Sequence, residues 1–288
     1  MDDGVNRIQP SLGLMLIAQM LLNAGHNVKI HDSALEGWDN RKLIDPKKKK
    51  LIIGQSDSEI LKIISDFSPD IVGISVLFSN FLSAAHNVAK LTKKVNKNIK
   101  VILGGNHISN AVVDYGFSSD KNSNLPDSLV DLNDENFDFA MVGEGEMPMV
   151  ELVDAIINDR DYSKVPGLVK KIGNKKYLIN RKSKKHDMNL LPRPARRLVN
   201  MEAYFKIGAF QSAKSKSKRV LSVMCSRGCP EKCTFCTTPQ MWGSNIRWRS
   251  TKHIMDEIKE DSKQYNIGEI QFLDDTITLH KQHLYSLC

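Results

Sequence analysis

Apolar, β-branched runs at 27–31, 70–76, 100–103 and 137–142 each stop at Gly, Ser, Asn or Asp, the signature of short buried strands. Between them, residues 13–24, 58–67 and 81–95 carry apolar positions at helical spacing, and 148–157 adds a further helix. Strand and helix alternating through short connections predict an α/β fold with an open, doubly wound parallel sheet (Rossmann-like). A ligand of such a sheet lies beyond the carboxyl ends of its strands.

The pattern then changes. Residues 167–181 read as a hairpin turning at Gly173-Asn174, and two prolines in Leu190-Leu191-Pro192-Arg193-Pro194-Ala195-Arg196 disfavour helix there. A mostly apolar strand follows at 219–224. Ser250 or Thr251 caps a helix running to about 265, with Ile254 and Ile258 on one face, and a second strand at 269–273 ends at Asp274-Asp275. Strand, loop, helix, strand is the opening of a (β/α) barrel, whose chemistry sits at the carboxyl ends of its strands. The predicted organisation is an α/β domain over 1–160, a hairpin and linker over 161–217, and the start of a barrel over 218–288.

Composition bounds the picture without redirecting it. A chain of 288 residues, 41% hydrophobic and 26% charged, is long enough for two globular domains. No apolar run approaches the ~20 residues of a membrane helix. The net charge of +8 comes from lysine runs in predicted loops without interleaved aromatics, so solvated loop charge is favoured over a nucleic-acid surface. Only five cysteines are present, four of them clustered, and no apolar signal segment opens the chain; this predicts a reduced, cytoplasmic protein.

Three of those four cysteines carry the chemistry, and Cys225 is a spectator. Cys229, Cys233 and Cys236 form CxxxCxxC within Met224-Cys225-Ser226-Arg227-Gly228-Cys229-Pro230-Glu231-Lys232-Cys233-Thr234-Phe235-Cys236. Three thiolates can hold three irons of a 4Fe-4S cluster and leave the fourth open, whereas an electron-transfer cluster normally has four cysteines. The alternative register from Cys225 needs a cysteine at 232, where Lys232 stands. Structural zinc is the competing reading, although zinc sites usually come as two CxxC-like pairs a dozen or more residues apart, and Cys288 is remote.

The triplet and its neighbours resemble the radical S-adenosylmethionine enzymes. The resemblance implies that the open iron binds S-adenosylmethionine and that one electron cleaves it to a 5′-deoxyadenosyl radical. It implies that the turn after the second barrel strand helps hold the S-adenosylmethionine amino group, which makes Asp274 and Asp275 the candidates; helix capping near Thr276 is the other role open to them. Trp242, Arg247, Trp248 and Arg249 match the family's aromatic–arginine stretch.

The strand ends of the first domain carry a second pattern: Asp32-Ser33-Ala34-Leu35-Glu36-Gly37, then Ser75-Val76-Leu77, then Gly104-Gly105-Asn106-His107. It resembles the cobalamin-binding domain, with its DxHxxG, SxL and GG. The resemblance assigns Asp32, Gly37, Ser75, Leu77, Gly104, Gly105 and Glu144 to cobalamin. The histidine that would ligate cobalt from below corresponds to Ala34, which implies cobalt without a protein histidine beneath it. His107 follows the glycine pair and reads as a polar residue at a helix start. GxGxxG and GxxxxGK[ST] are absent, which removes the main support for dinucleotide or triphosphate binding.

Together the two resemblances imply a cobalamin-dependent radical S-adenosylmethionine methyltransferase acting on an unactivated carbon of a small-molecule substrate. One S-adenosylmethionine would supply the radical, a second would remethylate the cobalt, and flavodoxin or ferredoxin would donate electrons. Within the family the alternative is a radical oxidoreductase or cyclase on a tetrapyrrole or lipid; outside it, a non-catalytic cobalamin-binding protein with a zinc-stapled tail. A methylthiotransferase would carry cluster cysteines in its first domain, and none precedes Cys225. The family's barrel has roughly six βα units of about 30 residues, so 218–288 holds only its start. Residues 1–8 also do not read as the strand that normally precedes Gln9-Pro10. The resemblance therefore implies a fragment that cannot turn over alone.

Overall fold

In chain order the elements are α1 (Leu12–Asn23), α2 (Ser33–Glu36), β1 (Arg41–Asp45), β2 (Lys50–Ile53), α3 (Asp57–Phe67), β3 (Ile71–Ser75), α4 (Leu82–Val95), β4 (Lys100–Gly104), α5 (Asn106–Tyr115), β5 (Phe139–Met141), α6 (Glu146–Ile157), β6 (Leu168–Gly173) and β7 (Lys176–Ile179). They continue with α7 (Met201–Ile207), β8 (Val220–Val223), β9 (Ser226–Arg227), α8 (Thr238–Met241), β10 (Arg247–Trp248), α9 (Thr251–Tyr265), β11 (Glu269–Phe272) and α10 (Lys281–Leu287). The computed structural model describes residues 8–45, 50–115, 132–173, 176–180, 185–208 and 215–288. Residues 1–7, the expected hairpin turn at Asn174 and the lysines at 47–49, 182 and 184 lie outside them.

Packing divides the chain into two compact units, Asp32–Lys184 and a second formed by Met1–His31 with Lys185–Cys288. In the first, five strands form one sheet in the order β3-β4-β5-β6-β7. β3, β4 and β5 run parallel, in the register Ile71↔Lys100 and Ile102↔Phe139. The sheet is not parallel throughout, because the predicted hairpin joins it: β6 pairs antiparallel with β5 through Ala140↔Val169, and β7 with β6. Val101, Ile102 and Leu103 are all at most 2% exposed, so both faces of β4 are covered, as a central parallel strand requires. Val76, Ala85, Ala89, Leu103, Ile108 and Val112 belong to the main core, while Ile60, Ile64, Leu91 and Ile99 form a second cluster between α3 and α4.

Local signals explain the helix starts. Ser56 and Glu59 close a capping box on α3, and Ser250 caps α9 by accepting from His253 N. Residues 27–31 form no strand; they lie outside any ladder, and β3 is an edge of the sheet. Their alternation of exposed Asn27 and Lys29 with half-buried Val28 and Ile30 offers one apolar face only.

In the second unit, β8 is buried along its whole length and pairs in parallel with β11, from Glu269↔Val220 to Phe272↔Val223. Leu221, Val223, Cys225 and Ile254 form its core, with Ile258 packed against them. Leu12, Met15 and Leu16 of α1 join Met188 and Leu191 in another cluster, flanked by Met224 and Leu273. The proline-rich stretch is part of this packing, with Ala195 and Arg196 at 0% and 2% exposure.

Candidate cofactor sites

β8 ends where the cysteine loop begins. Gly228 adopts φ +108°, and a Cβ there would lie 2.6 Å from Asn245 O, so only glycine permits this crossing. Cys229 N donates to Gly243 O at 3.1 Å, and the short β9–β10 pairing of Arg227 with Arg247 closes the loop base. Arg227 also lies over the Trp242 ring at 4.7 Å. The intervening residues face outward: Pro230, Cys233 and Phe235 are exposed, and Cys236 is half-buried.

The three cysteines thus share one loop at the carboxyl end of β8, on the predicted barrel face. Among the described residues no three His, Cys, Asp or Glu side chains are drawn together at metal-ligating distance. Cys229 is buried with its Sγ 3.7 Å from Thr276 Oγ1. The donor chemistry fits a thiolate-held cluster: three thiols on one glycine-hinged loop, two of them reachable from solvent. Cys225 differs. Burial, reinforced by the Asp274 charge, pushes its thiol up to about 12; Arg249 opposes this and Glu257 adds to it. A thiol so protonated is a poor ligand, because the thiolate is the metal-binding form.

Asp274 and Asp275 stand at the end of β11, opposite the loop start. Both oxygens of Asp274 are engaged: Cys225 N donates to one at 3.0 Å, and the Ser226 hydroxyl donates to the other. Asp275 accepts from Thr238 Oγ1 at 3.2 Å. Partial desolvation raises its carboxyl above the usual range; the Thr238 hydrogen bond opposes this and the Asp274 charge adds to it.

A cluster of buried charge lies behind the loop; of its members only Arg249 falls in a stretch that the motif patterns mark, and Arg196, Glu257 and Asp261 do not. Arg196 donates to Glu257 Oε1 at 2.7 Å, Asp261 Oδ2 at 2.8 Å and Ser222 O at 2.9 Å. Arg249 donates to Glu257 Oε2 at 2.5 Å and to Met224 O at 2.9 Å. Glu257 is fully buried. The available signal is the spacing of Ile254, Glu257 and Asp261, which puts two carboxylates on the apolar face of α9.

In the other unit, Ser75, Leu77, Gly104, Gly105 and Glu144 of the second set lie at the ends of β3, β4 and β5, while Asp32 and Gly37 flank α2. Asp32 accepts from Ala34 N at 3.0 Å and Leu35 N at 3.2 Å, capping α2. A Cβ on Gly37 would sit 2.2 Å from Gly54 C, so the α2 turn crosses the end of the hairpin at backbone contact. Ser75 pairs in register with Gly104. Gly105 has φ +99°, and a Cβ there would lie 2.4 Å from Val76 O. At Gly104, by contrast, a Cβ would meet nothing nearer than 3.9 Å. His107 N donates to Val76 O and its Nδ1 lies 2.9 Å from Ser79 Oγ, so this histidine is held at the start of α5. Glu144 is buried behind β5. Leu77, Phe78 and Phe81 are 46%, 65% and 53% exposed. Open space at Gly104 and exposed apolar side chains at Leu77, Phe78 and Phe81, on the loops that follow neighbouring strands, fit a large, partly apolar group.

Residues 5–115 match the B12 binding domain, and residues 223–287 match the radical SAM superfamily. The chain is 32% identical to cytidylyl-2-hydroxyethylphosphonate methyltransferase of Streptomyces wedmorensis, over 96% of this chain and 53% of that protein. It is 31% identical to an uncharacterised methyltransferase of Pyrococcus horikoshii, over 95% of this chain and 50% of that one. Among solved structures it resembles the radical S-adenosylmethionine methyltransferase TsrM from Kitasatospora setae, with a TM-score of 0.66 at 17% identity, over 97% of this chain and 47% of that chain; this likeness is one of fold. The chain spans about half the length of the curated relatives it matches. The first match takes in Asp32, Gly37, Ser75, Leu77, Gly104 and Gly105 but not Glu144, the second takes in the cysteine loop and Asp274-Asp275, and the chain belongs to the radical S-adenosylmethionine proteins that carry a B12-binding domain.

Proposed function

We propose that this chain is the cofactor-binding portion of a cobalamin-dependent radical S-adenosylmethionine methyltransferase acting on an unactivated carbon of a small molecule. The carrying observation is the cysteine loop at the end of β8, tied by Asp274 to the end of β11. Its relatives support the reading: two are methyltransferases by name, and a TsrM structure contains cobalamin and a [4Fe-4S] cluster. Cys229, Cys233 and Cys236 would hold the cluster, which supplies the electron that cleaves S-adenosylmethionine. Asp275 is the better placed of the aspartates to meet the S-adenosylmethionine amino group, since Asp274 is committed to the loop. Asp32, Gly37, Ser75, Leu77, Gly104, Gly105 and Glu144 would surround cobalamin, with Ala34 leaving its lower face without an imidazole. In this reading 1–160 is the cobalamin domain, 161–217 the hairpin and linker, and 218–288 the barrel start. A flavodoxin- or ferredoxin-type donor and a cytoplasmic location accompany it; among the described residues no helix is long and apolar enough to cross a membrane.

Anaerobic reconstitution with iron, sulfide and cobalamin tests the proposal. About four irons per chain are expected, as for a cysteine-held cubane. The reduced cluster's electron paramagnetic resonance spectrum should change when S-adenosylmethionine is added, and corrin should survive desalting. Stoichiometric zinc in place of iron, or complete loss of corrin, would refute it.

A further inference from the structure

Arg249 grips the backbone from which the cysteine loop springs. β8 pairs with β11 along one edge, and the ladder continues as Leu273 N donates to Val223 O at 2.8 Å. Carbonyls alternate along a strand, so Ser222 O and Met224 O point to the opposite edge. Two guanidinium groups meet them there: Arg196 takes Ser222 O and Arg249 takes Met224 O, each at 2.9 Å. Arg249 N also donates to Cys225 O at 2.8 Å. One residue therefore holds two consecutive carbonyls just ahead of Cys229.

Glu257 fixes both arginines at once, one on each carboxylate oxygen, and Asp261 takes a second contact from Arg196. Burying such an array is weak evidence for added stability, because desolvating the ions offsets much of their attraction. What it supplies is direction. Arg's planar fork is preorganised and loses less freedom per hydrogen bond, and a fully buried Glu257 leaves it one orientation. Asp274 acts on the same stretch through Cys225 N and the Ser226 hydroxyl, so the loop start is held by Arg249 through carbonyls and by Asp274 through donors.

We infer that Arg249, oriented by Glu257, is a positioning residue that sets the cysteine loop, while the equally buried Arg196 serves only to hold β8 and the proline-rich stretch together. This rests on the proposed iron–sulfur cluster for its consequence, but not for its geometry. The test compares Arg249→Lys with Arg196→Lys in the whole chain. Both should lower the melting temperature. In metal-free protein, Arg249→Lys alone should speed hydrogen exchange at the amides of 225, 229 and 249, by about tenfold or more, since opening the loop becomes easier. After reconstitution, Arg249→Lys alone should alter the spectrum of the reduced cluster.

Unchanged exchange in Arg249→Lys, or equal loop exchange in Arg196→Lys, overturns the inference. Should Arg249→Lys not fold, Glu257→Gln keeps both arginines and must still speed exchange at the same amides; wild-type exchange in that variant counts equally against it. Failure of the wild-type chain to take up iron would sink the proposed cluster, whereas the exchange rates of the metal-free protein would still decide the role of Arg249.

Discussion

Cys225 and Cys229 are buried thiols four residues apart in the same segment, yet the structure treats them differently. Cys225 belongs to the β8 core with Leu221, Val223 and Ile254, and its thiol is pushed up to about 12 from an ordinary 9.0, by burial first and by the Asp274 charge next. The sign follows: a group whose folded value is raised favours the folded state fully below its ordinary value, and that contribution fades as pH rises from 9.0 towards about 12. Near neutrality Cys225 is therefore a small apolar side chain. Iodoacetamide at about pH 9, near the ordinary thiol value, should label exposed Cys233 in the metal-free protein and spare Cys225 until it unfolds. Peptide mass spectrometry reads both sites. Labelling of Cys225 at the rate of Cys233 would show that the thiol is not shielded as the fold implies.

At the scale of elements, the ends of β3 and β4 are locked together by the backbone. Val76 N donates to Gly104 O at 2.9 Å, and His107 N donates to Val76 O at 3.0 Å. Gly105 runs beneath that peptide at positive φ, where a methyl group would strike Val76 O. Gly105→Ala should therefore cost about 3 kcal/mol in denaturant unfolding, combining backbone strain with displacement of a buried strand end. Gly104→Ala has open space around its methyl and should cost about 1 kcal/mol or less, while still weakening corrin retention. Equal losses of stability from the two would remove the distinction. The glycine pair is legible in the sequence, but which glycine serves the fold and which faces open space is not, because the difference lies in how closely Val76 approaches. The same holds elsewhere. The strand–helix alternation of 70–157 is visible in its periodicity, whereas the pairing of β6 onto β5 joins Ala140 to Val169 and depends on tertiary packing. The cysteine triplet is visible in its spacing. The commitment of Asp274 to Cys225, across 49 positions, is not; the helical spacing of Ile254, Glu257 and Asp261 puts two carboxylates on an apolar face, but their partners Arg196 and Arg249 come from a distant turn and a loop that only the fold brings together.

For the whole molecule, the deciding quantity is charge. Forty-one basic against thirty-three acidic residues leave +8 on 288 residues, much of it in runs such as Lys214-Ser215-Lys216-Ser217-Lys218-Arg219. Composition of this kind says nothing about the fold, but it does bear on encounter rates. A cationic protein attracts an acidic partner over roughly a Debye length, about 8 Å at physiological ionic strength, and steering of this kind raises association rates by about 10- to 1,000-fold. If the proposed electron donor is an acidic flavodoxin or ferredoxin, its second-order rate of reducing the reconstituted cluster should fall about tenfold or more between low and high salt. Reduction by a small uncharged reductant should hardly respond, because no long-range attraction is there to be screened. Stopped-flow bleaching of the cluster absorbance measures both. A donor rate independent of salt would mean that the basic runs do not steer it, and that the excess charge is loop solvation alone.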